Sequence, residues 1–235
     1  MAVCLLVRHG HSSANEAGEL AGWREGVRLT DRGREQARAA AELVASAAPV
    51  RLVSSPLERC RETAKVLGEG LGLTIDVDDE VGECHYGVWT GRPLRDLAAD
   101  PLWRLVQDDP EQAVFPPSPQ YRGESLVAMG ERLETALRRL DAAVETDHGP
   151  NAVWVVVSHG DPIKAVLAHA GGGGIAQLQR FHVDPGSVSI VRLWGERSML
   201  LGSNLRSGPL ADVVRSTTPP SEARAGDAVP GGGAG

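Results

Sequence analysis

The sequence predicts an α/β protein: a three-layer sandwich with a mainly parallel central sheet, helices on both faces, and a cap insertion over the carboxyl ends of the strands. Three observations carry this reading. Short β-branched runs (Val3-Cys4-Leu5-Leu6-Val7, Val50 to Ser54 and, most strongly, Ala152 to Val157) are largely continuous in apolar residues instead of alternating, the pattern of strands buried on both faces. Between them lie stretches whose apolar residues recur at spacings of three and four, as on one face of a helix. The order is strand, helix, strand, helix, a longer excursion and a return to a very apolar strand, which is the signature of crossover connections and a parallel sheet.

The first strand ends at Arg8-His9. Thr30 or Asp31 then caps a helix carrying Ala37, Ala40, Ala41, Val44 and Ala48 on one stripe. After the second strand, Ser55 is placed as an N-cap and Pro56 as the first helical residue, which puts Arg59 in the opening turns of the next helix. From about 80 to 123, Pro93, Pro101, Pro110, Pro116, Pro117 and Pro119 limit long regular elements, so this stretch reads as the cap. A helix follows from about Ser125, with Leu126, Met129, Leu133, Leu137, Leu140 and Val144 inward and Arg132, Glu134, Arg138 and Glu145 off that stripe. After the third apolar strand, Ser158-His159-Gly160-Asp161-Pro162 reads as a cap and proline opening a helix, and Gly171 to Gly174 as a flexible loop. Ser187 to Trp194 and Met199 to Leu205 form a hairpin joined by Gly195-Glu196-Arg197. Residues 207–235 include six Gly and four Pro with no apolar period, the composition of a disordered tail, so the folded domain is expected to span 1–206.

Composition narrows the function. Hydrophobic residues at 42% and charged residues at 23% exclude a wholly disordered chain, a collagen-like fibre or a disulfide-stapled miniprotein. A formal net charge of −7 lacks the footprint of a general nucleic-acid binder. Cys4, Cys60 and Cys84 are an odd and sparse set, which argues for a reducing compartment, by default the cytoplasm. The apolar run from Ala2 to Val7 is too short for a signal core or a membrane span, so no membrane partner is expected.

In open α/β sheets ligands bind beyond the carboxyl ends of the strands. Three segments sit there: Arg8-His9-Gly10-His11-Ser12 with Asn15, Ser54-Ser55-Pro56-Leu57-Glu58-Arg59, and Ser158-His159-Gly160. Opening onto one crevice, they bring together two guanidiniums, at least two imidazoles and helix amino termini, a set suited to a phosphate dianion. A neutral imidazole near pH 7 attacks phosphorus if its other nitrogen is held as N–H, and arginines neutralise the equatorial oxygens. The leaving alkoxide still needs a proton, for which the cap offers Glu80 and Glu83.

Those segments, together with Leu29-Thr30-Asp31-Arg32-Gly33-Arg34-Glu35-Gln36-Ala37, Thr63-Ala64, Glu83-Cys84-His85-Tyr86-Gly87 and Gly123-Glu124-Ser125, resemble the histidine phosphatase superfamily, in its phosphoglycerate-mutase-like branch. The likeness covers roughly residues 3 to 205, with the motifs in the family's order. It implies His9 as a nucleophile that becomes phosphohistidine, Arg8, Arg59 and His159 as the grip on the phosphoryl group, and Asn15 in the same pocket. It also implies Glu83 as proton donor, with Glu80 the runner-up, and no metal or other cofactor. His11 and Arg92 are expected at the substrate-binding rim, and His85, beside Glu83, is expected to line the pocket.

Competing chemistries are weaker. A metal clamp at His9 and His11 would need Asp and His at positions 13 and 14, which hold Ser13 and Ala14. Cysteine phosphatase chemistry needs Arg six positions after a Cys, where Cys4, Cys60 and Cys84 have Gly10, Val66 and Thr90. Gly171 to Gly174 lack the Lys-Ser or Lys-Thr of a P-loop. The reading is therefore a metal-independent phosphomonoesterase acting on a small phosphorylated metabolite. Its alternatives are a phosphomutase, against which stands Cys84 where mutases usually carry Arg, and a phosphate-ester-binding protein without turnover. Trp103, Phe115 and Tyr121 suggest a partly apolar leaving group, and the edge of the carboxyl-terminal hairpin could pair two copies in a homodimer.

Overall fold

The computed structural model describes residues 2–194 and 197–207. Among them, β1 (Val3–Arg8), β2 (Arg51–Ser54), β3 (Ile75–Val77), β4 (Val153–Ser158), β5 (Val188–Trp194) and β6 (Arg197–Leu205) form one sheet in the order β3-β2-β4-β1-β5-β6. The pairings of β1 with β4, β2 with β4 and β2 with β3 are parallel, and those of β1 with β5 and β5 with β6 antiparallel. The expected hairpin is present as β5 and β6, while its turn at Gly195-Glu196 and the expected tail beyond Ser207 lie outside the described residues. β3 was not legible: Ile75-Asp76-Val77 is short and half exposed, with no apolar run to announce it.

Both faces of the sheet are covered, and the period-two alternation of strand side chains decides what covers each. Cys4, Leu6, Trp154 and Val156 face the helices α6 (Leu126–His148) and α7 (Gly160–Ala170), whose Leu133, Leu137, Leu140, Ile163 and Leu167 complete that layer. Leu5, Val7, Val155 and Val157 face α2 (Asp31–Ala45) and α3 (Glu58–Leu71), which contribute Ala40, Ala41, Val44, Ala64 and Leu67. Small residues on α2 let its backbone lie close to the sheet.

The helix starts agree in part with expectation. Thr30 caps α2 by accepting from the Gly33 N–H (3.2 Å), and Ser125 caps α6 by accepting from Ala128 (3.0 Å). Ser55 and Pro56 do not open α3, whose N-cap is Leu57 without a side-chain bond; Ser55 Oγ instead lies 2.7 Å from His159 Nε2. Ser158 is the last residue of β4, its hydroxyl donating to the Val81 carbonyl (2.7 Å), so His159 takes the N-cap position of α7. Pro162 falls in the first turn, where its missing N–H costs nothing.

The excursion between β3 and α6 carries α4 (Leu94–Leu97), α5 (Pro101–Asp108) and three 3₁₀ turns. Tyr86, Trp89, Leu97, Trp103, Val106 and Phe115 are buried there with Leu126 and Met129 of α6, so the cap has a core of its own. Trp103 and Phe115 are therefore packing residues, not a surface for the leaving group; their rings contact or approach Trp89 (centroids 6.3 and 5.2 Å). Leu20 joins this core, and the loop after α1 (Ser13–Ala17) is stitched to the cap through Leu20 N–H to Arg92 O and Leu94 N–H to Gly18 O.

Candidate active site

β2, β4 and β1 are neighbours in the sheet, with Ser54 opposite Val157 and Arg8 opposite Ser158, so their carboxyl ends share one edge. His9 follows β1 immediately and His159 follows β4, while Arg59 is the second residue of α3 after β2. The topology thus brings Arg8, His9, Arg59, His159 and, from the cap, Glu83 into one buried group, each at most 3% exposed.

The loop after β1 is held on every side. His9 N–H donates to Ser158 O (3.0 Å), Gly10 N–H to Thr63 Oγ1 (3.1 Å) and His11 N–H to Gln36 Oε1 (2.7 Å). Gly10 and Gly33 make this possible: a Cβ on Gly10 would stand 2.3 Å from Gly33 O, and one on Gly33 2.0 Å from His11 O. The loop and the first turn of α2 pass backbone to backbone.

His9 Nδ1 lies 2.7 Å from the Gly10 carbonyl, which can only accept, so Nδ1 carries the proton and Nε2 presents a lone pair. Arg59 Nε donates to that Nε2 (3.2 Å). Burial, then the charges of Arg59 and Arg8, hold the imidazole well below its ordinary pKa, so it is neutral near pH 7. Arg59 Nη2 donates to Gly22 O (2.9 Å), and its buried Nη1 has no protein acceptor. Arg8 Nη1 donates to Val183 O (2.7 Å); burial brings its guanidinium down to about 10, against the pull of Glu83, Asp184 and Asp161, which leaves it charged at neutral pH.

His159 packs edge-on to His9, with ring centroids 5.3 Å apart, and its Nδ1 is 3.8 Å from Glu83 Oε2. Burial and the charge of Arg59 keep it neutral too. Glu83 Oε1 accepts from the Cys84 N–H (3.0 Å). Its carboxyl is pushed up to about 7, chiefly by burial and next by Asp161, against Arg59, the Cys84 N–H and Arg8. Glu80, three residues earlier, is exposed, with its carbonyl accepting from Arg132 Nη1 (2.7 Å) and its N–H donating to Asp78 Oδ1 (3.0 Å), so it is not placed to serve as the acid. Arg132 also grips Glu124 with both Nε and Nη2 (2.9 and 3.0 Å), anchoring the Glu83 loop to α6.

The remaining expected residues sit at varying remove. The Asn15 carboxamide oxygen accepts from Ser12 N–H and Oγ (3.0 and 2.8 Å), closing the cap of α1. His11 Nδ1 is 3.0 Å from Thr30 Oγ1, so that ring is turned to α2. His85 stacks on Trp23, with centroids 4.4 Å apart, and Trp23 Nε1 donates to Glu83 O (2.7 Å). Arg92 is exposed and pairs with Asp100 (3.8 Å) on the cap surface, outside the buried group. Sequence reasoning missed Trp23, Tyr86, Asp161 and the Ser55–His159 contact. An Asp-x-x-Lys spacing at Asp161 and Lys164 hinted at a pair, but nothing announced its burial.

A group of one buried imidazole with an unprotonated nitrogen, two guanidiniums and a proton-holding carboxyl can transfer a phosphoryl group, and the comparisons agree with that chemistry. The family model described as histidine phosphatase superfamily (branch 1) matches residues 4–206. Phosphoserine phosphatase 1 of Hydrogenobacter thermophilus is 27% identical over 206 residues, 87% of this chain and 93% of that protein. Adenosylcobalamin/alpha-ribazole phosphatase of Salmonella typhimurium is 31% identical over 188 residues, 79% and 88% of the two chains. The structure of a mycobacterial glucosyl-3-phosphoglycerate phosphatase with VO3 superposes with a TM-score of 0.73 at 29% identity, covering 86% of this chain and 98% of that one. The chain spans about half the length of a bifunctional protein of Mycobacterium tuberculosis (50% of that protein, 33% identity over 196 residues, 82% of this chain).

Proposed function

Because the chain belongs to the histidine phosphatase superfamily, branch 1, we propose that it is a phosphomonoesterase that hydrolyses a small phosphate ester through a phosphohistidine on His9, without a metal. The observation that carries this is the His9 ring: Nδ1–H tied to the Gly10 carbonyl and Nε2 turned to the Arg59 guanidinium. In the first step Nε2 forms a bond to phosphorus, the ester P–O bond breaks, and Glu83 gives its proton to the leaving alkoxide. Arg8, Arg59 and His159 neutralise the phosphoryl oxygens, with Arg59 Nη1 supplying a buried donor that has no protein acceptor. In the second step Glu83, now ionised, takes a proton from water as its oxygen attacks phosphorus; the P–N bond breaks and His9 is restored. Asn15, His11 and His85 are assigned to the substrate's remaining atoms, as the family resemblance implies, whereas Arg92 would reach them only by leaving Asp100.

Relatives named for phosphoserine, alpha-ribazole and glucosyl-3-phosphoglycerate support a small phosphate ester as substrate. Metal independence is part of the proposed reading, because the nucleophile and the proton donor it assigns, His9 and Glu83, are side chains of this chain and Arg8 and Arg59 carry the positive charge. Buried free thiols at Cys4, Cys60 and Cys84 support a reducing, cytoplasmic setting, and no helix among the described residues is long and apolar enough to cross a membrane. The phosphatase domain is taken as 1–206 with the cap at about 80–123. Exposed Met199, Leu201 and Leu205 on the edge strand β6 support pairing with a second copy.

The test is phosphate release from a panel of phosphomonoesters by chelator-treated protein and by His9→Ala, with the trapped intermediate weighed by mass spectrometry. Activity that survives the chelator, vanishes in His9→Ala and leaves an acid-labile phosphate on His9 is expected. Loss on chelation would overturn the metal-free mechanism, and isomerisation of a phosphoglycerate without phosphate release would make the protein a mutase.

A further inference from the structure

Behind Glu83 a line of buried polar groups runs away from the phosphoryl pocket. Tyr86 Oη is 2.6 Å from Asp161 Oδ2 and 3.4 Å from Glu83 Oε1. Asp161 Oδ1 is 3.3 Å from Lys164 Nζ, which also meets Gln179 Oε1 (3.2 Å). Tyr86 and Asp161 are fully buried and Lys164 is 1% exposed, an unusual amount of charge to take out of water. The transfer chemistry uses none of these three.

A tyrosine hydroxyl has one proton and here faces two carboxyl groups. The short contact assigns that proton to Asp161, whose other oxygen is neutralised by Lys164. Glu83 Oε1 then meets the lone pairs of Tyr86 Oη, so an ionised Glu83 gains no donor from the tyrosine. We propose that Asp161, acting through Tyr86, is a positioning residue that keeps Glu83 protonated in the resting enzyme, ready to supply the leaving group. This rests on Glu83 being the proton donor.

The other groups facing Glu83 pull the opposite way or are neutral. Arg8 from β1 and Arg59 from α3 favour its ionised form, as does the N–H of Cys84; the thiols of Cys60 and Cys84 and the ring of His159 stay uncharged. Arg132 of α6 reaches only its carbonyl (3.3 Å). Asp161 of α7 is the negative neighbour that raises its proton affinity most, second only to burial. Without it, burial alone would oppose the pull of the two nearby guanidiniums on that proton.

The experiment is an infrared pH titration of the full protein, with the carboxylic C=O band of Glu83 assigned by its loss in Glu83→Gln. It is repeated in Asp161→Asn and in Asp161→Asn/Lys164→Met, which removes the buried pair without leaving a lone cation. We expect the midpoint to fall by about one pH unit in both variants, and the alkaline limb of kcat/KM for an alkyl phosphate to move with it. An unmoved midpoint in both would overturn the role of Asp161 while leaving Glu83 as the acid. A shift in the single variant alone would assign the effect to the freed lysine and overturn it equally. If the wild type shows no such band near neutral pH, Glu83 is not the acid and both readings fall.

Discussion

The imidazole of His9 meets a carbonyl at one nitrogen and a guanidinium at the other, so its tautomer is set before substrate binds. The same guanidinium helps hold the ring neutral. Glu83, a few ångströms from His159, is set the opposite way, since burial makes it keep a proton that an exposed glutamate would lose. With Glu83 in its proposed role the sign of the pH effect follows: the carboxyl is loaded below about 7 and unloaded above it. kcat/KM for an alkyl phosphate is therefore expected to fall as pH rises through that value. With an aryl phosphate, whose leaving group needs no proton, that limb should be absent. Glu83→Gln should cost about 10²–10⁴ in rate on alkyl esters and much less on aryl ones. Equal losses on both would remove Glu83 from the role.

At the scale of elements, two joints hold the catalytic edge of the sheet. One is the backbone approach of the His9–Ser12 loop to α2. Gly33→Ala would drive a methyl into the His11 carbonyl, and about 1–3 kcal/mol of stability should be lost. Because the displaced loop carries His9, kcat/KM should drop as well; thermal melts and kinetics on the same sample would show whether the two losses travel together. The other joint is Asp184, in the turn before β5. It accepts from Asn204 Nδ2 (2.9 Å) and lies 3.0 Å from His182 Nε2, while the Asp184 N–H donates to Asn204 Oδ1 (2.7 Å). Burial alone would raise the Asp184 carboxyl, but these bonds and the Arg206 charge bring it below the usual carboxylate range. A depressed carboxyl stabilises the fold above its unfolded value, about 3.9, and that contribution fades as pH falls through the folded one. Asp184→Asn should cost about 2 kcal/mol at neutral pH, with the gap from wild type closing only in acid. A gap independent of pH would refute the linkage.

Across the whole molecule, the layer over one face of the sheet and the core of the cap share α6, which gives Leu133, Leu137 and Leu140 to the first and Leu126 and Met129 to the second. Trp103 belongs to the second. Trp103→Ala should lose about 3–5 kcal/mol of stability yet leave the order of preferred substrates unchanged, which a substrate panel run below the melting transition would check. The far edge of the sheet is β6, where Met199, Leu201 and Leu205 face solvent on one side of the strand. If two copies pair there, sedimentation should find a dimer in wild type and a monomer in Leu201→Lys, with activity per chain retained. A monomeric wild type at high concentration would dismiss the pairing.

Much of this was decided by the sequence alone. Unbroken apolar runs such as Ala152 to Val157 can be stable only between two layers, and the order of strands and helices then leaves a parallel sheet with its ligand edge after Arg8, Ser54 and Ser158. His9, Arg59, His159 and Glu83 were legible because they follow those strands or sit in a recognisable motif. Tertiary structure decided what periodicity does not encode. Ser55 turned from a helix cap into a partner of His159, Glu80 was left in solvent while Glu83 was buried, and Trp103 went into a cap core instead of a substrate wall. Asp161 and Tyr86, which lie 75 residues apart in the chain, met behind Glu83. Proton affinity depends on burial and on charges brought close by folding, so which carboxyl keeps its proton is a property of the packed molecule rather than of any local stretch of chain.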